Sequence, residues 1–593
     1  MKKLNSFFLR PQQNSSIFLL LLVGLATHGH LLFNDVRVGD DWMYLMWMEN
    51  GDWLTFSTFH SHYNNFLQAA PLWPLTYFKN VISALHVFSL LIIIASGMVV
   101  YRISVFINIL SRIESLMLAS MSICLPAFMW HASAIYSVFY NLSVIIFYVA
   151  VYFALLSETR SGWKKYFMQF FSIILYLYSF HTGSLLVFFF AAALVHCYFL
   201  ATIRSLNFQQ GITYFLSKRC YFLILPIAFR LGYQLYQPYV TNKIGFDPSI
   251  YLIGIGQFLQ TIYLQLKSVI SEIVFIWVGS GSLFALVIVQ FFQSKKLGFV
   301  VEKNACKPYH ALKTLCFGLI FLMLGIFGYV ATGKTPSPDT TLGYSTRTLL
   351  LAQVPIAFML ILFFRTLSFS AFSKLLVVPI FAGLIGGSVV IQNREGMNWL
   401  YFGVLNAAFK LKLSEMPGAK DITYLQVADK SYFMGNTHHP FASLPFAIAQ
   451  IFHGPSHVFG ELIYITDIEL AKLPQKNLSS LVSEYFQGDG RSLINEWQLV
   501  LPTEIKQGLL VVCPGSTFNS SSRLQLITQY NYYRLFRPGE LPQLLSSLLH
   551  LHLITTTPSL SVPPSKEIIT CESLNTKISV FNLKAPISHK AEI

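Results

Sequence analysis

The chain has 593 residues, of which 54% are hydrophobic and only 11% are charged, against roughly 25% charged residues in soluble domains. Its net charge of +15 comes without a glycine-rich phosphate loop, an RNA-binding signature or zinc-finger spacing, so nucleic acid is set aside as a partner. Mean hydropathy of +0.55, 53 Phe and 30 Tyr point instead to a polytopic protein whose first partner is the lipid bilayer.

In chain order, Lys2, Lys3 and Arg10 precede the apolar run Ile17 to Phe33. The pattern is that of a signal peptide, but no small-residue cleavage site follows and the run is long enough to span, so it reads as an uncleaved first helix. Ten further apolar runs follow, giving about eleven spans: 16–33, 81–101, 115–134, 138–157, 167–181, 184–203, 220–237, 268–292, 314–332, 347–364 and 375–392. The runs 167–181 and 184–203 are separated only by His181, Thr182 and Gly183, as a tight hairpin or one kinked unit. Basic residues set the orientation. Arg102, Arg112, Arg160, Lys164, Lys165, Arg204, Lys218 and Arg219 fall in one set of loops and the opposite set is poorer in them. This places the N-terminus in the cytoplasm. An odd number of spans then puts the loops 34–80, 238–267 and 333–346, and everything after 392, in the extracytoplasmic compartment.

The first of those loops is about 47 residues long and opens with Gly39, Asp40, Asp41 and Trp42. Two carboxylates at the edge of a bilayer are costly to desolvate and so tend to have a role there. Trp42, Leu45 and Met46 recur at helical spacing, which suits a short interfacial helix that holds the acids near the membrane plane. Three readings stay open for them: a general base acting on a hydroxyl, a carboxylate ligand to Mg or Mn, or a helix cap beside a solvated acid. No residue set is assigned as a metal site. His60 and His62 lie downstream on the same loop as substrate-binding candidates. Arg230, within the seventh span, and Arg347, at the start of the tenth, are candidates for holding a phosphate, with an interfacial or structural role as the alternative. Tyr233 and Tyr236 follow Arg230, as sugar-stacking platforms or as part of an aromatic belt. Glu272, like Arg230, is a charge inside a predicted span. His453 and His457 are four apart, but Pro455 between them argues against a zinc-binding helix. No GxSxG or HExxH motif is present, which weighs against serine hydrolases and zincins.

From residue 393 the chain changes character, and no apolar run of spanning length remains. Trp399 to Leu413 and Leu478 to Phe486 read as helices; Ile422 to Ala428, Gly508 to Cys513 and Lys577 to Leu583 read as strands. The expected fold is an all-α membrane domain over 1–392 with a soluble α/β or α+β domain over 393–593. Cys513 and Cys571 both fall in that domain, either as a disulfide or as two buried thiols.

Acids just after the first span, an interfacial loop between spans one and two, about eleven spans and a C-terminal soluble domain resemble the GT-C superfamily of polytopic glycosyltransferases. The resemblance covers 1–392 in architecture and Gly39 to Trp42 as a motif. It implies transfer of a sugar from a polyprenyl-phosphate donor to a cell-surface glycan or lipid-linked acceptor on the extracytoplasmic face, in a bacterial inner membrane. It further implies Asp40 or Asp41 as the catalytic base, with the other structural or metal-linked. The WWDxG-type signature of oligosaccharyltransferases is absent, which sets oligosaccharyl transfer to protein aside. A flippase or transporter of lipid-linked sugars and a non-catalytic membrane scaffold are the rival readings.

Overall fold

The computed structural model describes residues 11–35, 45, 48–49, 51, 70–78, 80–125, 134–236, 248–293, 308–330, 349–367, 371–422, 424–429, 459–463, 468–469, 507–556, 568–569 and 571. The chain forms two compact units, Met1–Phe33 with His60–Gly396, and Asn34–Phe59 with Met397–Ile593.

The first unit is helical. Its elements are α1 (Pro11–His28, continued by a 3₁₀ turn Gly29–Phe33), α2 (Val81–Ile107), α3 (Arg112–Cys124), α4 (Ala134–Ser157), α5 (Gly162–Ser179), α6 (Gly183–Ile203), α7 (Phe208–Tyr236), α8 (Pro248–Ser271), α9 (Ile273–Gln293), α10 (Pro308–Val330) and α11 (Gln353–Leu367), together with the first part of α12 (Ala371–Glu415). Local chemistry sets several boundaries. Asn80 accepts a hydrogen bond from Ser83 N (3.1 Å) to cap α2, and Ser111 and Glu114 form a reciprocal capping box on α3, each satisfying amides that the first helical turn leaves open.

Five helices among the described residues are long and apolar enough to cross a membrane: Ser15–Phe33, Val81–Ile107, Ser137–Ser157, Gly183–Ile203 and Val377–Glu415. Two bent pairs raise the number to seven, one bent by 48° between Cys220 and Phe222, the other by 65° between Ser271 and Ile273. Of the eleven expected spans, five to seven therefore have spanning character; 314–332 and 347–364 correspond to shorter apolar helices, Cys316–Val330 and Leu349–Arg365. His181 and Thr182 turn α5 back into α6, so that Tyr176 meets Phe189 edge to face at 4.8 Å, the geometry of a hairpin. The segment read as the loop 238–267 is helical from Pro248 onward. Gln257, Gln260, Gln265 and Lys267 interrupt its apolar pattern, but one face still buries Phe258, Ile262 and Val269, with Gln265 among them.

Close backbone approach joins α8 and α9 to α12. A Cβ at Gly387 would lie 2.5 Å from the Val269 carbonyl oxygen, and one at Gly383 would lie 2.8 Å from that of Phe275. Small residues let membrane helices meet this closely, where hydrophobic burial alone gives no drive between them.

At the end of the bundle where α4 finishes, the Glu158 side chain is fully buried. Arg219 of α7 donates to both its oxygens, Nε to Oε1 at 2.6 Å and Nη2 to Oε2 at 2.9 Å, and His196 of α6 lies 3.3 Å from Oε1. Burial pushes the Glu158 carboxyl up, but the hydrogen bonds and charges of His196 and Arg219 outweigh it and hold the group down at about 2.

The second unit contains a four-stranded sheet of order β2-β1-β4-β5, with β1 (Tyr424–Asp429), β2 (Phe459–Ile463), β4 (Gln507–Pro514) and β5 (Leu549–Thr556). β1 pairs in parallel with β2 and β4, and β4 pairs antiparallel with β5, in the register Val427↔Leu510↔Leu553. β3 (Ile468–Glu469) and β6 (Ile568–Ile569) form a separate short antiparallel ladder. Between β4 and β5 come α13 (Ser516–Ser520), α14 (Arg523–Phe536) and α15 (Leu541–Ser546). Ala428, Leu509, Val511 and Cys513 form a buried cluster on the sheet, and Cys513 is disulfide-bonded to Cys571, with Cα atoms 5.8 Å apart. The strands read at 422–428 and 508–513 correspond to β1 and β4; Leu478 to Phe486 and Lys577 to Leu583 lie outside the described residues.

Candidate functional site

The helices of the first unit bring buried polar side chains together at one end. Tyr101, late in α2, donates its hydroxyl to Ser16 at the start of α1 (3.2 Å), so the beginning of α2 lies beside the end of α1, where Phe33 leads into the 34–80 loop. At this exit end, His28 Nε2 lies 2.9 Å from the Ile123 carbonyl oxygen. Gln353 of α11 and Gln392 of α12 both donate Nε2 to the Leu125 carbonyl, at 3.2 and 3.3 Å. Asn393 donates Nδ2 to the Ala26 carbonyl at 2.6 Å. Ser89 of α2 and Ser137 of α4 share a hydrogen bond, and Asn141 Nδ2 donates to Ser137 Oγ at 3.2 Å. His28, His86, Ser89, Ser137, Asn141, Gln353 and Gln392 are all buried.

The ends of helices explain part of this gathering. At 13 residues α3 is about 20 Å long, shorter than the roughly 30 Å of a bilayer core. The last carbonyls of a helix lack intrahelical donors, and in a membrane bundle other side chains must supply them. His28, Gln353 and Gln392 do so for Ile123 and Leu125. His30 makes a backbone hydrogen bond at Thr27, in the last turn of α1. Its ring lies 6.3 Å from that of His28 and packs on the backbone of Gly396, where a Cβ would fall 2.5 Å from Nδ1. That nitrogen is buried and has no hydrogen-bond partner among the described residues.

Two arginines belong to the same end. Arg394 forms a two-point ion pair with Glu272, both contacts at 3.0 Å, and so holds the bend between α8 and α9 against α12. More than half of its side chain remains exposed. Arg230 is half-buried in α7; its neighbour Phe229 meets His181 edge to face at 5.3 Å, beside the turn that begins α6. Ser184, on that turn, approaches Gly328 of α10, and Leu351, just ahead of α11, approaches Gly325. This connects the turn to Gln353.

Asp40, Asp41, His60, His62 and Arg347 lie outside the described residues, as do Trp42, His453 and His457. Tyr233 and Tyr236 fall in the last turn of α7. Sequence reasoning missed His28, His30, His86, Gln353, Gln392 and Arg394. The available signal was the same for all six, a polar side chain within or beside an otherwise apolar run. Among the described residues no group of His, Cys, Asp and Glu has the arrangement of a metal site. The exit end offers neutral donors and acceptors, one open imidazole nitrogen and two guanidinium groups, a set suited to a hydroxyl-rich ligand that also carries negative charge. No protein-family model and no curated protein matches the chain.

Proposed function

We propose that the protein is an integral membrane glycosyltransferase of the GT-C type. It moves a sugar from a polyprenyl-phosphate donor to a cell-surface glycan or lipid-linked acceptor on the extracytoplasmic side of a bacterial inner membrane. The observation that carries this reading is the convergence of buried polar side chains at the end of the bundle from which the chain runs, seven residues beyond Phe33, into Asp40 and Asp41. Polar groups are costly inside a bilayer and mark substrate paths. The Cys513–Cys571 disulfide supports an oxidising compartment for the C-terminal region, in keeping with a cytoplasmic N-terminus.

In this reading an acceptor hydroxyl attacks the anomeric carbon of the donor. Its proton passes to the carboxylate of Asp40 or Asp41, and the bond to the polyprenyl phosphate breaks. Arg230 and Arg347 stabilise the departing phosphate, with Arg394 as a further cation. His60, His62, Tyr233 and Tyr236 bind the sugars, and a Mg or Mn ion on the acids is the metal-assisted variant.

The test uses purified protein in detergent with a labelled polyprenyl-phosphate sugar and acceptor. Asp40→Asn or Asp41→Asn should reduce transfer by about 10²–10⁴-fold, the usual weight of a general base. Full transfer by both variants removes the mechanism. The bent pairs at 220–222 and 271–273 favour a second reading, since transporters place broken helices at their binding sites. A flippase would move the lipid-linked sugar between leaflets of a vesicle and transfer nothing in detergent.

A further inference from the structure

Helix α14 is apolar on two opposite faces. Leu526, Ile527 and Tyr530 are buried against the second unit. On the other side Leu524, Tyr532, Leu535 and Phe536 are 60%, 46%, 56% and 71% exposed. At about 100° per residue these four fall within one third of the helix circumference, together with Thr528. Tyr532 and Phe536 lie side by side, with ring centroids 5.6 Å apart. The helix and the residue after it carry Arg523, Arg534 and Arg537 and no acid. Arg523 and Arg534 project from the buried side, and Arg537 pairs with Glu540 at 3.1 Å. A contiguous exposed apolar stripe of this kind, aromatic at one end, has the composition of a helix face that lies in a membrane interface.

Its tethers are close in sequence to the ends of two apolar helices. Tyr530 donates its hydroxyl to Asp35 at 2.6 Å, and Arg534 pairs with the same carboxylate oxygen at 2.6 Å. Burial and the Asp35 charge hold the Tyr530 phenol well above its ordinary value, so it stays a donor. Asp35 comes two residues after Phe33, the last residue of the first candidate span, and two residues reach at most about 7 Å. At the other end of α14, Arg523 donates to Asn398 at 3.1 Å and stacks on Tyr401 at 5.3 Å. Asn398 is one helical turn past Arg394 and Glu395, the charges that end the apolar stretch of α12.

We propose that α14 is a membrane-surface helix whose occupant is the bilayer itself: Leu524, Tyr532, Leu535 and Phe536 seat among the headgroups. The inference needs only that the chain resides in a bilayer, and stands apart from the glycosyltransferase reading.

The experiment uses the full chain in nanodiscs of phosphatidylethanolamine and phosphatidylglycerol, with Cys220, Cys306 and Cys316 changed to Ser. An environment-sensitive fluorophore is attached through Phe536→Cys, in a second protein through Leu524→Cys, and in a third, as the water-exposed reference, through Gly539→Cys. At 536 and 524 the emission should shift to the blue, be quenched by lipids brominated near the headgroup, and resist aqueous iodide several-fold better than at 539. Iodide access equal to that at 539 overturns the proposal. So does shielding from iodide without quenching by brominated lipid, which would mean that a second copy or another protein covers the stripe.

Discussion

The two ends of the helical bundle bury polar groups by opposite means. At the Glu158 end a full charge is enclosed, and Arg219 and His196 take up its oxygens. At the exit end the buried groups are imidazoles, amides and hydroxyls, and several are taken up by helix-end carbonyls. A closed ion pair has little left for a ligand, and breaking it strands a charge. A network of amide and hydroxyl hydrogen bonds loses little when one member goes. The contrast assigns holding the helices together to the Glu158 end; the exit end is where the proposed function would place its substrate.

The largest effect should come from Arg219→Ala. It leaves a buried carboxylate with His196 alone and should destabilise the protein by about 3–5 kcal/mol, read as thermal unfolding in detergent. A loss below about 1 kcal/mol would mean that water reaches Glu158 and that the end is not closed.

Acid separates the ends next. Glu158 titrates at about 2 in the folded protein against an ordinary 4.5, so the unfolded chain binds the proton more readily. The stability this group contributes is complete above about 4.5 and is lost as pH falls toward 2. Unfolding temperatures measured across that window should fall more steeply for the wild type than for Arg219→Ala. Parallel curves would place the acid sensitivity elsewhere.

The smallest effect belongs to the exit end. Gln353→Leu and Gln392→Leu each remove one of two donors to Leu125 O, and each should cost about 1 kcal/mol or less. The double variant should cost more than the sum, since only then is the carbonyl stripped of both. Strict additivity in a double-mutant cycle would show that water satisfies the carbonyl. On the proposed glycosyltransferase reading, sugar transfer by the same exit-end variants should fall more than their stability does.

Much of the helical framework was legible because it is written locally. The runs at 81–101, 138–157 and 184–203 became α2, α4 and α6, and ITYLQVA and GLLVVC became β1 and β4. β5 was overlooked: LHLHLITT alternates Leu with His, and it is its antiparallel register with β4 that makes it a strand. α8 was hidden by its polar residues: Gln260 and Lys267 are exposed, and Gln265 sits on the buried face itself among Phe258, Ile262 and Val269. The polar gathering was not legible, because it depends on which helix ends meet. Gln392 and Leu125 are 267 residues apart, and no periodicity in either segment carries that pairing. Nor does composition reveal that Asp35, in a stretch read as a membrane loop, bonds to a helix near the C-terminus.

The Cys513–Cys571 bond spans 58 residues of chain, with α14, β5 and their connections between its ends. A protease that nicks the chain once anywhere in that interval produces two pieces that migrate as one until a reductant is added. Limited digestion, run with and without thiol, therefore reports on which side of the membrane this part of the protein matured, since a chain kept in the cytosol would separate at the first cut.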